Sequence, residues 1–425
     1  MGKGKVGIIG GGASGMIAAI SAAMSGASVT VFERGDKVGR KLLMTGNGKC
    51  NLTNKNISAE NYYCDVPGRL SSILERFGYE ETVSFFYDIG LLTYEKNGYY
   101  YPMSNQASSV QDALRFRMKE LGVEVRTNCL VQKISSLQKG GFAISYKETT
   151  EDHRRNIKEN FDACILSCGG RSVPKTGSDG SGYDIANALG HSIRTVRPAL
   201  CALTCEENIK AISGVRATAE VTLYVDDKKA CSETGELQLT DSGISGIPVF
   251  QISHVASKAI GEGRDVHARI DFLPGLSAAD EKKLRHSRHL LTFDRTADEY
   301  FVGMINKKLI QYFMSLCHIS ARSKMSDVLK FSYNAEDKLW KMCRNFDLKI
   351  TGTVGYENSQ TSMGGVPLSE VNDRFESDIT DGLFLTGEML DVDGKCGGFN
   401  LQWAWCTGYI AGEAAAEYAA DADET

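Results

Sequence analysis

Gly10, Gly12 and Gly15 stand in the spacing G-x-G-x-x-G with Ala13 and Ser14 between them, and Glu33 lies 18 residues beyond the last glycine. In such a pattern the first glycine permits a tight turn, the second lets the backbone approach a pyrophosphate, and the third lets a helix pack close to a strand. A carboxylate at Glu33 can accept both hydroxyls of an adenosine ribose, and its charge disfavours a 2'-phosphate. Arg34 adjoins it and is assigned to the same site. A second cluster, VGRKLLMTGNGKCNLTN over residues 38–54, combines bases, glycines, asparagines and one thiol. Arg40 and Lys41 can face phosphates or a carbonyl edge, while Gly46, Asn47 and Gly48 allow close backbone approach to something flat and anionic.

These side chains need a strand, a turn, a helix and a second strand to hold them. Residues 6–9 are apolar without alternation, as in a strand buried on both faces of a parallel sheet. Residues 16–24 are Ala-rich and favour a helix, with Gly26 as its stop, and SVTVFE (28–33) reads as the second strand, ending in Glu33.

Composition narrows the classes. The chain of 425 residues carries a net charge of -5 and 42% hydrophobic residues, which suits a globular protein with sizeable cores and argues against a nucleic-acid-binding surface. No run approaches the roughly 18 apolar residues of a membrane span, and no signal-peptide cleavage site follows the N-terminus, so a cytoplasmic location is expected. The 12 cysteines are scattered and read as free thiols. Cys164/Cys168 and Cys201/Cys205 have the wrong spacing for zinc, and HSRH at 286–289 lacks a carboxylate between its histidines, so no metal is expected.

The far end of the chain separates FAD from NAD. Residues 383–386 read as a short strand, followed by Gly387, Glu388, Asp391, the pair Gly397 and Gly398, and a helix opening with Phe399, Asn400 and Leu401. This is similar to the late strand of two-domain FAD enzymes resembling glutathione reductase, in which an acid after glycine holds the ribityl or pyrophosphate side and the next helix points its N-terminus at the flavin. In the same resemblance Gly169 ends a returning strand, and Val131 meets the adenine through its backbone. No second G-x-G-x-x-G with a trailing acid appears, so a dedicated NAD(P)H domain is not expected.

Between the FAD segments the pattern changes. Residues 217–253 alternate like antiparallel strands with turns at Asp226-Asp227 and Gly235, and residues 277–348 are helix-like, with Leu284, Leu290, Leu291, Met304, Ile305, Leu309, Phe313 and Leu316 in an apolar stripe expected to be core. The expected organisation is residues 1–193 as the first part of a FAD-binding domain, 194–276 as an inserted strand-rich domain, 277–348 as a helical subdomain, and 349–425 as the return strands and C-terminal part.

With GGGASGMIAA, GRKLLMTGNGKCNLTN, YYPMSNQASSVQDAL, GELQLTDSGISGIPVFQIS, SQTSMGGVPLSEV and TGEMLDVDGKCGGFNLQWAWCTG in view, the sequence resembles the BaiN-like flavoproteins, a family of NAD(P)/FAD-dependent oxidoreductases, over nearly its whole length. The resemblance implies an α/β fold: a Rossmann-like, glutathione-reductase-type FAD-binding domain with an inserted strand-rich barrel and a helical subdomain. It implies FAD, NADH or NADPH as transient electron donor, a small hydrophobic substrate, and reduction of a C=C bond conjugated to a ketone, as in 3-dehydro-bile acid delta-4,6 reduction. Amine (aminoacetone-type) oxidation, or a structural, sensing or RNA-related role, are the alternatives. Cys50 lacks the C-x-x-x-x-C partner of flavin disulfide reductases, since Lys55 stands five positions on, and reads as a packed thiol. Tyr101 and Tyr356 are the candidates for a proton donor or carbonyl-polarising group, ahead of Ser104, Lys395 and His254, because a phenol can do either task.

Overall fold

The computed structural model describes residues 4–149, 154–331 and 334–422. They fall into two compact units, one made of Met1–Pro198 with Tyr356–Thr425 and the other of Ala199–Gly355.

The first unit is built around the glycine fingerprint. Strand β1 (Lys5–Ile9) leads through the turn into helix α1 (Ala13–Met24) and on to β2 (Ser28–Phe32). Helix α1 starts at Ala13 rather than at residue 16, because Gly12 already accepts the first helical hydrogen bond from Met16 N–H at 3.0 Å. The parallel sheet has five strands in the order Leu383–Leu385, Ala163–Leu166, β1, β2, Glu124–Arg126. Its register places Val6 between Ala163 and Val29. Both faces of β1 are covered, which is why its apolar run does not alternate.

Helix α1 is buried along most of its length because the C-terminal helix Phe399–Ala422 lies against it. A Cβ at Gly408 would sit 2.4 Å from the Ser14 carbonyl oxygen, and one at Gly412 would sit 2.4 Å from that of Ala18. The glycines thus set the spacing of the two helices, while Met16, Ile17 and Ile20 are fully buried, each contributing roughly 1.5–3 kcal/mol.

The second unit is a closed antiparallel barrel with helices beside it. Its strands run in the order Leu203–Cys205, Gly243–Gly246, Lys228–Leu239, Arg216–Val225, Val266–Asp271, Phe346–Thr353, closed by Leu203 pairing with Thr353. Asp226 and Asp227 form the expected turn, with φ of 48° and 62° as in a type I' hairpin. The expected turn at Gly235 is absent: the strand runs through it, paired with Ala219. Glycine is needed there for close packing, since a Cβ would lie 3.2 Å from Pro248 at the start of the helix Ile247–Gly261. That helix also replaces the strand expected for the end of residues 217–253.

Leu309, Phe313, Leu339 and Trp340 share one apolar cluster with the barrel interior. Leu290 and Leu291, read as core from their spacing, are 74% and 75% exposed, and Leu316 is exposed too. The inner side of Ala278–Thr292 is occupied instead by polar groups: Arg285 stacks over Trp340 at 4.8 Å and His289 meets Glu336 at 2.7 Å. Among the described residues no helix is long and apolar enough to cross a membrane.

Candidate functional site

The three fingerprint glycines have three different surroundings. Gly10 has φ of 103°, and a Cβ on it would meet the Ser167 carbonyl oxygen at 2.4 Å. One on Gly15 would meet the Gly10 carbonyl oxygen at 2.0 Å, whereas Gly12 faces open space with nothing within 4 Å. Gly12 is also the N-cap of α1, which has no side-chain cap and no acid in its first turn. Its first amides, around Ala13 and Ser14, are therefore left for an anion.

Glu33 is buried, and its carboxylate accepts from Gly11 N–H at 2.9 Å and Gly35 N–H at 2.7 Å. Those bonds fix its orientation and leave lone pairs for ribose hydroxyls. Arg34 turns to Asp179 in an ion pair. Val131 lies buried in the strand Cys129–Ser136, and Gly169 has φ of 72° beside Ser178.

In the 38–54 loop, Gly46, Asn47, Gly48 and Cys50 all adopt left-handed backbone, with φ of 55°, 54°, 81° and 59°. Arg40 is 43% exposed, with its guanidinium 3.7 Å from Asp36. Lys41 reaches Glu388 Oε2 at 2.7 Å and the Ser172 hydroxyl at 2.6 Å. Glu388 Oε1 in turn accepts from Ser172 Oγ, Ser362 N–H and Ser362 Oγ at 3.0, 2.8 and 3.0 Å. Two residues expected to face the cofactor thus engage each other, tying the loop, the 169–172 turn and the Gly387 turn together. Gly387, with φ of 63°, lies against Ser14, and Asp391 accepts from Gly364 N–H at 2.9 Å while burial raises its carboxyl pKa.

CNLTN and GGFN, far apart in sequence, are in direct contact. Asn54 donates to the Gly397 carbonyl at 2.9 Å, and a Cβ on Gly398 would strike the Thr53 backbone at 2.8 Å. Asn400 accepts from Gly394 N–H and donates back to its carbonyl, at 2.9 and 2.8 Å, while Phe399 is buried and Leu401 half-buried. Sequence reasoning missed the next residues of this helix. Gln402 accepts from Thr53 and Thr82 and donates to the Phe77 and Gly78 carbonyls, Trp403 donates to Gly387, and Trp405 donates to Leu52. Two tryptophans and a glutamine at the start of an otherwise Ala-rich helix were the available signal.

Two buried oxygens in these segments, Asn51 Oδ1 and Thr361 Oγ1, have no hydrogen-bond partner among the described residues. Orphan polar atoms, an open glycine at an uncapped helix start, and a buried acid after the second strand together fit FAD. Cys50 is fully buried, with burial pushing its thiol pKa up to about 12, as for a packed thiol.

The two tyrosines differ. Tyr101 is half-buried in the strand Tyr99–Pro102 and stacks on Tyr94 at 5.8 Å between ring centres. Burial raises its phenol pKa, with Tyr99, Tyr94 and Cys396 as further causes, which also places it beside the GGFN turn. Tyr356 donates to the Val196 carbonyl at 2.7 Å and lies under the Arg171 guanidinium at 4.6 Å. Ser104 bonds Ser109, the Lys395 backbone N–H bonds Asn61, and His254 lies in the Ile247–Gly261 helix of the second unit.

A profile of the HI0933-like protein Rossmann domain matches residues 4–414. The chain belongs to this family. It is 41% identical over 419 residues to 3-dehydro-bile acid delta(4,6)-reductase of Clostridium scindens, covering 97% of this chain and 99% of that protein. A ribosomal RNA dihydrouridine synthase of Haemophilus influenzae is 28% identical over 420 residues, covering 95% and 96%. The crystal structure of a 3-ketosteroid-delta4-(5alpha)-dehydrogenase from Rhodococcus jostii RHA1 superposes with a TM-score of 0.53 at 15% identity, covering 97% of each chain, which shows a common fold. The expected BaiN-like kinship and the expected architecture of FAD-binding Rossmann domain, barrel and helical region are both borne out. This HI0933-like chain is an oxidoreductase with a FAD-binding domain.

Proposed function

We propose that the protein reduces a C=C bond conjugated to a ketone on a steroid or bile-acid-like substrate, with NADH or NADPH as reductant. The observation that carries the reading is the 41% identity, over nearly all of both chains, to the bile acid delta(4,6)-reductase. Bound FAD would supply the hydride chemistry, with NAD(P)H as the reductant and the carbon β to the ketone as the hydride acceptor. The balance then needs one proton at the α carbon. Tyr101 is the proposed donor: it is half-buried beside Tyr94, and burial raises its phenol pKa, which keeps it protonated. Tyr356, whose hydroxyl is already bonded to Val196, is assigned to holding the 171–173 turn, since its carbonyl accepts from Val173 N–H and its ring lies under Arg171. Residues 394–401 and the tyrosine strand would exclude water from the reacting edge.

The dihydrouridine synthase relative supports a second reading with the same chemistry. Uracil also presents a C=C bond conjugated to a carbonyl, so hydride at the β carbon and proton at the α carbon would reduce it too. The lower identity and the net charge of -5 favour the steroid. Incubating the FAD-loaded protein anaerobically with NADPH or NADH, and in parallel with a 3-oxo-delta-4 bile acid or a ribosomal RNA fragment, tests both. Gain of two hydrogens by the bile acid is expected; reduction of the RNA alone, or of neither, overturns the reading.

A further inference from the structure

We propose that the Asn51 carboxamide pairs edge-on with the pyrimidine imide of the bound flavin, a role that rests on the FAD reading above. Asn51 is 9% exposed and its Oδ1 is buried without a hydrogen-bond partner among the described residues. A buried acceptor left unpaired is destabilising, so such an atom calls for a ligand. Relaxation of the side chain by backbone movement is blocked on both sides. Cys50 N–H donates to the Thr45 carbonyl at 3.1 Å, Leu52 N–H donates to Tyr100 at 2.8 Å, and Trp405 Nε1–H donates to the Leu52 carbonyl at 2.9 Å. Cys50 is meanwhile held at φ of 59°, a left-handed conformation that a non-glycine residue avoids unless its surroundings impose it. The same backbone stretch meets the GGFN turn through Thr53 and Asn54, at the start of the last helix.

The chemistry of a carboxamide selects the partner. It offers one acceptor and two donors in a plane, and its oxygen and nitrogen exchange places by a flip about the last bond. A phosphate has no donor for Oδ1. A steroid ketone has none either, so the reacting carbonyl of the proposed substrate cannot satisfy it. The flavin's pyrimidine ring has an N–H between two carbonyls, and an amide can meet that edge with two antiparallel hydrogen bonds, accepting from the N–H and donating to one carbonyl.

Deflavinated protein reconstituted with FAD and with 3-methyl-FAD, which lacks that N–H, tests the pairing through dissociation constants. The wild type is expected to bind 3-methyl-FAD about tenfold more weakly than FAD. Asn51→Leu is expected to bind FAD about tenfold more weakly than the wild type and to lose the preference, while its apoprotein melts no lower. Asn51→Asp, which adds a charge beside the ring, is expected to lower the flavin midpoint potential. Retention of the preference by Asn51→Leu, or FAD affinity within about twofold of the wild type, overturns the pairing while leaving FAD binding intact. A wild type that binds no FAD overturns the cofactor reading and the pairing with it.

Discussion

Lys41 and Glu388 meet at 2.7 Å across 347 positions of sequence, joining the loop after the first βαβ unit to the turn before the last helix. Both side chains are about three-quarters or more buried, at 25% and 20% exposure, and Ser172 and Ser362 complete the network. The pair ties together two segments from opposite ends of the chain.

Removing one partner of such a pair leaves a largely buried charge, so Lys41→Met is expected to destabilise the protein by about 2 kcal/mol. The double variant Lys41→Met/Glu388→Gln is expected to recover part of that loss, since no charge is then left alone. Urea unfolding of the two variants measures it; equal or additive losses would separate the two residues.

Gly12→Ala and Gly15→Ala should fail in different ways. At Gly15 a Cβ collides with the Gly10 carbonyl, so thermal stability falls sharply. At Gly12 the Cβ enters open space, so stability stays near wild type while FAD affinity falls about tenfold or more. Melting curves of apoprotein alongside FAD titrations distinguish the two.

Tyr101→Phe is expected to cut the reduction rate by about 10² with little change in melting temperature, as for loss of a general acid. Tyr356→Phe removes a hydrogen bond to Val196 and is expected to cost about 1 kcal/mol of stability with a smaller effect on rate. Single-turnover rates set against melting temperatures test the assignment, and the reverse pattern would exchange the roles.

Alkaline pH should loosen the fold. Burial raises the thiols of Cys50, Cys168, Cys343 and Cys406 from 9.0 to about 12. The folded chain therefore keeps protons that the unfolded chain releases, so this stability is present below about pH 9 and is lost progressively as pH rises toward 12. Urea midpoints across that range should fall, with a shallower fall in Cys50→Ala, and iodoacetamide should modify Cys50 only in unfolded protein.

What sequence made legible was local. The glycine spacing, the apolar strands of the parallel sheet and the Asp226-Asp227 turn each depend on a few consecutive residues, and all are in place. What it hid depends on contacts between distant segments. The strands Thr53–Asn54 and Asp393–Gly394 have two residues each, too few to show alternation, yet they bring CNLTN and the GGFN region into contact with their neighbours. Likewise Gln402 is an unremarked helix residue until its four bonds are seen, Leu290 and Leu291 keep helical spacing while facing outward, and the hydroxyl partner of Tyr356 is invisible before folding.

The most direct test is anaerobic absorbance of the FAD-loaded protein, mixed first with NADH or NADPH and then with a 3-oxo-delta-4 bile acid. The account predicts bleaching of the oxidised-flavin band by a nicotinamide nucleotide and its recovery when the enone is added. Absence of bleaching with both nucleotides would contradict an NAD(P)H-driven reductase, and bleaching without recovery would contradict the steroid enone as its substrate.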